Sequence, residues 1–295
     1  MSRLSLFDCS GLHSAKRIHA RSFSIGLAMC AALAIWPGDR AGAADWPLRG
    51  SLAPQTTYAR WDGWQFGLLA GYGNMNTDFG NSTSSLVGFI LRNSTLENEG
   101  APSTWTTLPS NTTNGAVFGG FIGYNMQWDQ LVLGMEFAYK HPSIMQSGAN
   151  DSLSRIFDTS DSIEHFVTID AQTSFKLVDY AALRARAGYA WGQFLPYAAV
   201  GLAVGRFNYH TSVTVTDSQT QLPNPPGPFL GTFQQSASSG QNNAFAAGVA
   251  AGLGVDWAAT ANLFVRAEWE FVAFAPVNQT RTNIQVGYLG AGVRF

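Results

Sequence analysis

Large apolar residues alternate with small or polar residues along most of this chain, from Trp64 onward. In the first run of this kind, Trp64, Phe66, Leu68 and Tyr72 share one parity, and most residues between them are glycine or glutamine. Successive side chains of a β-strand point to opposite faces of a sheet, so a period of two indicates a strand with one apolar face. The run therefore predicts a β-strand and not an amphipathic helix.

Eight runs with this period can be placed along the chain, separated by turns or by longer polar segments. Their charged residues fall on one parity, and most of their large apolar residues fall on the other. The predicted strands start near residues 64, 116, 131, 183, 198, 245, 263 and 282. The pattern predicts an all-β protein.

One stretch could instead form a helix. Residues 187–205 carry no charge over 19 positions, which is long enough for a membrane-spanning helix. They include four glycines, Gln193 and Pro196, however, and each half alternates with a period of two. Because Gly192 and Gln193 suit a hairpin turn, we predict two strands here, the fourth and the fifth.

The eighth predicted strand, residues 282–295, has an irregular pattern. Apolar residues at 289, 291 and 293 share the parity of Phe295, whereas three earlier apolar side chains fall on the other parity. These three are Ile284, Val286 and Tyr288. A β-bulge near Gly290 or Gly292 would bring both groups to one face, and we expect one there.

The connections between the predicted strands alternate in length. Residues 75–115, 141–179 and 208–243 form long connections, whereas 127–130, 192–193 and 258–262 are short. Short turns at one end and long loops at the other are typical of bacterial outer-membrane barrels. A soluble periplasmic β-sandwich is the alternative, since the parity pattern alone does not distinguish a lipid-facing surface from a buried one. Alternation continues through residues 207–216, so we expect the fourth and fifth strands to extend beyond the bilayer as a hairpin.

Aromatic residues gather near the ends of the predicted strands, and the chain stops at Phe295. Belts of aromatic side chains mark the two interfaces of a membrane-spanning barrel. The residues predicted at these interfaces are Trp64, Tyr72, Tyr124, Tyr189, Trp191, Trp257, Trp269 and Phe295. Together these features predict an eight-stranded antiparallel transmembrane β-barrel over residues 62–295, with three long extracellular loops and both termini in the periplasm.

The first 43 residues have the features of a cleaved signal peptide. Lys16, Arg17 and Arg21 precede a short apolar run at 22–36, and the small residues AGA at 41–43 suit a cleavage site near Ala43. Residues 44–61 are then expected to form a periplasmic segment. Both cysteines, Cys9 and Cys30, lie in the leader, so a mature chain would have neither a disulfide nor a thiol nucleophile.

Composition supports export to a membrane. Charged residues make up 12% of the chain, against about 25% in soluble domains, and aromatics reach 13%. The mean hydropathy is −0.00, which excludes a bundle of membrane helices. Without its leader the chain keeps 12 Lys and Arg against 17 Asp and Glu, so it has no basic surface for nucleic acid.

Several ordered motifs resemble one known family. RWDGWQFG at 60–67 with AGYG at 70–73, LRARAGYA at 183–190 and LPY at 195–197 are similar to successive strands of small outer-membrane proteins of alpha-proteobacteria. These are the "porin family" or outer-membrane immunogenic proteins, and the likeness covers roughly residues 43–295. The resemblance implies an OmpA-like barrel with an envelope-stability, surface-antigen or host-interaction role. The chain departs from the family in its long Pro- and Ser-rich third loop and in its last residues, Gly-Val-Arg-Phe.

Seven charged residues fall on the inward parity of the predicted strands. They are Glu136, Lys140, Arg184, Arg186, Arg266, Glu268 and Glu270. Side chains fill the interior of an eight-stranded barrel, and a buried ion is costly unless it is paired. We therefore predict a packed ionic network; the alternatives are a narrow pore and, more remotely, an acid–base pair formed by Glu268 and Glu270.

Other polar residues suggest weaker hypotheses. His141 and Ser143 are spaced like the His and Ser on the barrel wall of outer-membrane lipid A deacylases, but a polar strand end closed by Pro142 is far commoner. His165 and His210 are expected in separate loops, so we predict no metal site. The acidic run of the second loop, from Asp151 to Asp170, is expected to be a solvated surface.

The sequence thus predicts an integral outer-membrane barrel, and not an enzyme, with no cofactor. Its predicted partners are outer-membrane lipid, lipopolysaccharide and, through Phe295, the barrel-assembly machinery. A host or surface ligand stays open. A passive diffusion pore is the main alternative function, and a lipid A-modifying enzyme is the remote one.

Overall fold

The computed structural model describes residues 59–105, 108–143, 145–222 and 227–295. The predicted leader, the cleavage site and residues 44–58 lie outside these ranges. Nine strands form in the described residues. They are β1 (Gly63–Asp78), β2 (Asn111–Trp128), β3 (Leu131–Pro142), β4 (Gln146–Asp158), β5 (Ile163–Tyr189), β6 (Phe194–Gln221), β7 (Phe229–Ala258), β8 (Leu263–Val277) and β9 (Thr280–Arg294).

The strands form one antiparallel sheet that closes on itself. Neighbours follow the order β3-β2-β1-β9-β8-β7-β6-β5, and β3 then pairs with β5. β4 pairs with the outer half of β5, where it continues the line of β3. The ring therefore has eight strand positions, as the sequence predicted, and β3 and β4 occupy one of them in turn.

The predicted parity is confirmed in these strands. On β1, Trp64, Phe66, Leu68 and Tyr72 are exposed on the outside, whereas Gln65 and Leu69 are buried inside. Register partners on β2 repeat the pattern, so that Trp64 lies opposite Tyr124 and the two rings contact each other edge to face at 5.3 Å. A closed ring leaves no free strand edge, which is the requirement for strands in lipid.

Residues 187–205 form two strands and a short turn, as predicted: β5 ends at Tyr189 and β6 begins at Phe194. Ile163 on β5 pairs with Gln221 on β6, which confirms the extension of the fourth and fifth predicted strands. None of the helices in the described ranges is long and apolar enough to cross a membrane.

The predicted bounds of the long connections were wrong. Much of 141–179 is strand, since β4 and the outer half of β5 form a hairpin, and β6 and β7 fill most of 208–243. Part of their inward face is apolar: Val167, Ile169, Val213 and Val215 are all buried. The ring therefore continues past the ionic part of the lumen because its inner face still has a core to pack.

The bulge expected in the last strand was also wrong. β9 stays in continuous register with β1 from Arg281 to Arg294 and with β8 from Thr282 to Val293, without a shift at Gly290 or Gly292. Ile284, Val286 and Tyr288 simply point inward and are buried. The lumen contains an apolar layer above its charged layer. Apolar side chains can therefore point inward there, and no bulge is needed to turn them to the outer face. The register shifts in the described residues lie elsewhere, in β5 between Leu177 and Asp179, in β6 at Phe207/Tyr209 and Gln219/Thr220, and in β8 between Phe274 and Val277.

Loop 1, between β1 and β2, folds back over the long-loop end of the barrel. It contains the helices α1 (Ser84–Ile90) and α2 (Thr95–Gly100) and a 3-10 turn, Pro102–Thr104. Ser94 caps α2, because its hydroxyl oxygen accepts from the Glu97 N–H at 3.1 Å. Among the described residues of loop 1, the buried large apolar side chains are Phe79, Val87, Leu91, Leu96 and Leu108.

Candidate functional site: the interior of the barrel

The seven inward charges predicted from the sequence lie together in the lumen. β3 supplies Glu136 and Lys140, β5 supplies Arg184 and Arg186, and β8 supplies the other three. An eighth charge, Asp256 on β7, joins them. All eight are buried, none more than 4% exposed. The predicted set omitted Asp256 although its inward parity was visible in the sequence.

Glu136 lies at the centre of this network. Its carboxylate accepts hydrogen bonds from Arg184 Nη2 at 2.5 Å, from Arg186 Nη1 at 3.0 Å and from Arg266 Nη1 at 2.6 Å. Gln65 on β1 adds a fourth contact at 3.4 Å. One carboxylate thus connects strands β1, β3, β5 and β8 across the lumen.

Asp256 provides a second connection. Arg266 binds it through two atoms, with Nε 2.8 Å from Oδ1 and Nη2 3.0 Å from Oδ2. Arg186 Nη2 donates to the same carboxylate at 2.8 Å. Paired N–H donors match the geometry of a carboxylate, so this contact specifies orientation as well as charge.

Glu268 and Glu270 complete the layer on the side of the long loops. Arg184 donates to Glu268 at 2.5 Å, as does the Tyr197 hydroxyl. Lys140 pairs with Glu270, which also accepts from the Tyr180 hydroxyl at 3.3 Å. Both glutamates therefore hold ion pairs, and neither has the free, accessible carboxyl that an acid–base role requires.

The charges balance within the layer. Four cations, Lys140 and the three arginines 184, 186 and 266, face four carboxylates at 136, 256, 268 and 270. Aromatic faces support the cations: the Arg186 guanidinium lies 3.8 Å from the centre of the Tyr197 ring, and that of Arg266 lies 3.9 Å from Phe121. The result is a neutral and mutually bonded cluster, which lowers the cost of burying each ion.

The short-turn end of the lumen is covered by Trp61. Its ring is 2% exposed, packs edge to face on Phe264 at 6.2 Å and lies under the Arg294 guanidinium at 4.3 Å. Gln127 Oε1 accepts from the Trp61 backbone N–H at 2.6 Å. Trp61, two residues before the start of β1, thus packs into the lumen, although the sequence analysis placed it in the periplasmic segment.

An apolar layer closes the lumen toward the long loops. Phe207 contacts Phe175 at 5.0 Å and Phe274 at 5.1 Å, and the hydroxyls of Tyr180 and Tyr288 bond to each other at 2.6 Å below them. Lys140 lies 4.6 Å from the Tyr288 ring centre. The rings therefore separate the charged layer from the space under loop 1.

The other predicted sites lie apart from this layer. The Ser143 hydroxyl donates to the Ala116 carbonyl at 3.2 Å, and His141 is exposed on the outer face. The prediction that His165 and His210 lie in loops was wrong, because they belong to β5 and β6. His165 is buried and faces Asp217, a pair that sequence reasoning missed because 52 residues separate the two.

The eight aromatic residues predicted at the interfaces all point outward. Their exposed fractions range from 43% at Tyr124 and Trp257 to 76% at Phe295. Between them, the outer surface carries Leu68, Leu183, Val200 and Leu202. This outer band is apolar over most of the strand positions, whereas the charged side chains of the same strands lie inside.

A model of the family described as "Outer membrane protein beta-barrel domain" matches residues 49–295 of this chain. No curated protein sequence matches it. The sequence match thus covers the whole ring of strands and the connections between them.

Three solved structures illustrate the structural likeness. The attachment invasion locus protein Ail of Yersinia pestis has 13% identity and a TM-score of 0.30, covering 80% of this chain and 100% of its own. Neisserial surface protein A has 13% identity and a TM-score of 0.31, with 78% and 97% covered. The outer membrane protein OprG of Pseudomonas aeruginosa has 11% identity and a TM-score of 0.33, with 79% and 97% covered.

Proposed function

This chain belongs to the family of outer membrane protein β-barrel domains, and we propose that it serves the envelope as a closed structural barrel that displays its long-loop end at the cell surface. Members of the family reside in the outer membrane of Gram-negative bacteria. In such barrels short turns face the periplasm and long loops face outward. Loop 1 and the β4–β5 and β6–β7 hairpins then form the part of the protein that is exposed outside the cell.

The filled lumen carries this proposal. Eight mutually paired charges cross the interior at one level, Trp61 lies below them, and the rings of Phe175, Phe207 and Phe274 lie above. A conducting pore needs a continuous aqueous path along which an ion binds weakly and leaves again. Three successive layers of packed side chains favour a structural wall over a diffusion pore.

Conductance of the refolded protein in a planar bilayer tests the proposal. We expect no single-channel steps from the native chain, and none from Lys140→Met, which removes one lumenal charge at the edge of the network. Unitary steps from the native protein whose size changes in Arg184→Gln or Glu268→Gln would establish a pore instead. Heat-modifiable migration on an SDS gel serves as the control that each variant is folded.

Export and assembly belong to the same proposal. The leader directs secretion, cleavage near Ala43 leaves a mature chain that begins at Ala44, and the outward ring of Phe295 is recognised by the barrel-assembly machinery. The intact mass of protein purified from membranes checks the first part. Phe295→Ala should lower the amount of heat-modifiable barrel in the outer membrane, whereas Phe89→Ala, an exposed ring in loop 1, should not.

Surface display is tested in intact cells. An epitope inserted between Pro225 and Pro226, in the connection from β6 to β7, should bind antibody without permeabilisation. An epitope inserted after Ala259, in the short turn between β7 and β8, should bind only after the outer membrane is opened. Reversed labelling would mean that the barrel has the opposite orientation.

A further inference from the structure

A second polar site lies at the long-loop end, separate from the ionic layer. It is a cavity of about 760 Å³ between the 89–96 segment of loop 1 and the outer parts of β5, β6 and β7. Small-molecule sites in proteins commonly have volumes of about 300–1,000 Å³. The cavity is therefore large enough for a ligand and faces the exterior in the proposed orientation.

A buried histidine–aspartate pair forms part of its wall. His165 on β5 and Asp217 on β6 are 5% and 4% exposed, and His165 Nδ1 lies 2.8 Å from Asp217 Oδ2. Gln219 Nε2 donates to the same oxygen at 2.7 Å. Because an ionised carboxylate only accepts hydrogen bonds, Nδ1 carries the proton in a neutral His165, and Nε2 is left as an acceptor.

Two atoms of this pair lack partners. His165 Nε2 and Asp217 Oδ1 are both buried and have no hydrogen-bond partner among the described residues. A buried polar atom without a partner costs about 1–3 kcal/mol, so nearly all such atoms in folded proteins are satisfied. Two free acceptors in one cavity wall indicate a place for a ligand that brings two donors.

The rest of the wall combines ring faces with amides and hydroxyls. Phe89 and Phe233 line the cavity and are 60% and 50% exposed, and Gln235 and Ser236 lie beside Phe233 on β7. The Arg92 guanidinium, also in the wall, lies 4.2 Å from the Phe89 ring centre. A sugar complements such a wall. The C–H face of its ring is apolar and can pack on a phenylalanine ring, and its hydroxyl groups both donate and accept hydrogen bonds.

We propose that this cavity is a carbohydrate-binding site, in which hydroxyl groups of one sugar residue donate to His165 Nε2 and Asp217 Oδ1 while its ring packs on Phe233. Both acceptors lie just beneath the cavity surface, so binding in this way requires the wall around them to move as the sugar enters. The side-chain amides of Gln235 and Asn93 donate hydrogen bonds to the ring oxygen and to the remaining hydroxyl oxygens of the sugar.

Other ligand classes fit the wall less well. The described residues contain no group of three or more histidine, cysteine or acidic side chains that could hold a metal ion, so a metal fits the wall less well. An organic ammonium would find the two acceptors but would also meet the Arg92 cation in the same wall. An acidic ligand would face Asp217 and Asp161. A neutral polyol satisfies donors and acceptors without a charge conflict.

Binding of the refolded full-length barrel to a printed array of oligosaccharides tests the site, followed by saturation-transfer NMR with each sugar that binds. We expect saturable binding that weakens about tenfold to a hundredfold in both polar variants. His165→Ala removes one acceptor, and Asp217→Asn keeps its oxygen toward His165 and Gln219 and places an NH2 donor where the second acceptor was. Phe233→Ala should weaken binding as well, and its exposed position leaves the folded barrel intact.

The chain offers matched controls for both polar substitutions. Asp170→Asn makes the same change on the exposed face of β5, and His210→Ala does so on the exposed face of β6. Both should bind sugar as the native protein does. The proposal is overturned if no sugar binds a heat-modifiable barrel, if Phe233→Ala and folded Asp217→Asn bind like these controls, or if spermidine binds where no sugar does.

Discussion

Arg184 on β5 and Glu136 on β3 are register partners on neighbouring strands, and inside the lumen Arg184 Nη2 donates to Glu136 Oε1 at 2.5 Å. The pairing of β3 with β5 closes the ring, because these two strands stand at opposite ends of the series of eight neighbouring strands. β4, which lies between them in sequence, pairs with the outer half of β5. The same two residues also connect this closure to β8, since Glu136 binds Arg266 and Arg184 binds Glu268. An ion pair therefore marks the position at which the sheet becomes a barrel.

Glu136→Gln should destabilise the barrel by about 3 kcal/mol, because it leaves three buried arginines with too few negative partners. Urea unfolding in lipid vesicles, followed by tryptophan fluorescence, measures the loss. Glu164→Gln, at a half-buried residue of the outer hairpin, is the matched control and should unfold like the native chain. Equal midpoints for both variants would show that Glu136 does not hold the network together.

Trp61→Ala should lower stability by about 3 kcal/mol, since a large buried ring leaves a cavity that Phe264 and Arg294 only partly refill. Conductance should stay absent, because the ionic layer still fills the lumen above the site. Trp191→Ala, an outward ring that is 71% exposed, is the comparison and should cost less. Channel steps in Trp61→Ala alone would make Trp61 a gate and not a structural cover.

Gly201→Ala should destabilise the barrel by about 2 kcal/mol through overpacking. A Cβ at Gly201 would overlap the Leu183 carbonyl oxygen on β5 and lie 2.6 Å from Arg184 Cα, so two backbones would have to separate. Gly287→Ala is the control on β9, where a Cβ meets nothing within 4 Å. Urea midpoints of the two variants should differ, and a native-like Gly201→Ala would contradict the close approach.

Asp161, in the turn between β4 and β5, should titrate below its usual range. The Thr159 hydroxyl donates to its carboxylate, and this hydrogen bond lowers the pKa of Asp161 because it favours the ionised form. The contribution to stability is present above the ordinary carboxyl pKa and is lost as the pH falls through the lowered value. Thr159→Val should return the pKa of Asp161 toward 3.8, as measured by side-chain NMR. An unchanged titration would assign the shift to another neighbour.

Local pattern was sufficient for the strands and their faces. The parity of Phe66, Leu68 and Tyr72, and of Glu136 against Phe137, follows from the two-residue repeat of a strand, which depends on backbone geometry alone. The same rule failed for Ile284, Val286 and Tyr288, because it assumes that apolar means lipid-facing. Which apolar residues pack into the lumen depends on what the opposite strands supply, and that is a property of the closed ring.

The sequence by itself determined the alternation, the number of strand positions in the ring and the inward placement of its charges, since each depends on neighbours a few residues apart. Only the tertiary structure decided which charges pair, how loop 1 covers the lumen and that His165 meets Asp217. These contacts join residues tens of positions apart, and they require the strand register and the closure between β3 and β5 to be set first. The two-residue period of a strand determines whether a side chain points inward or outward. Which side chain it then contacts depends on how all the strands are arranged in the closed ring.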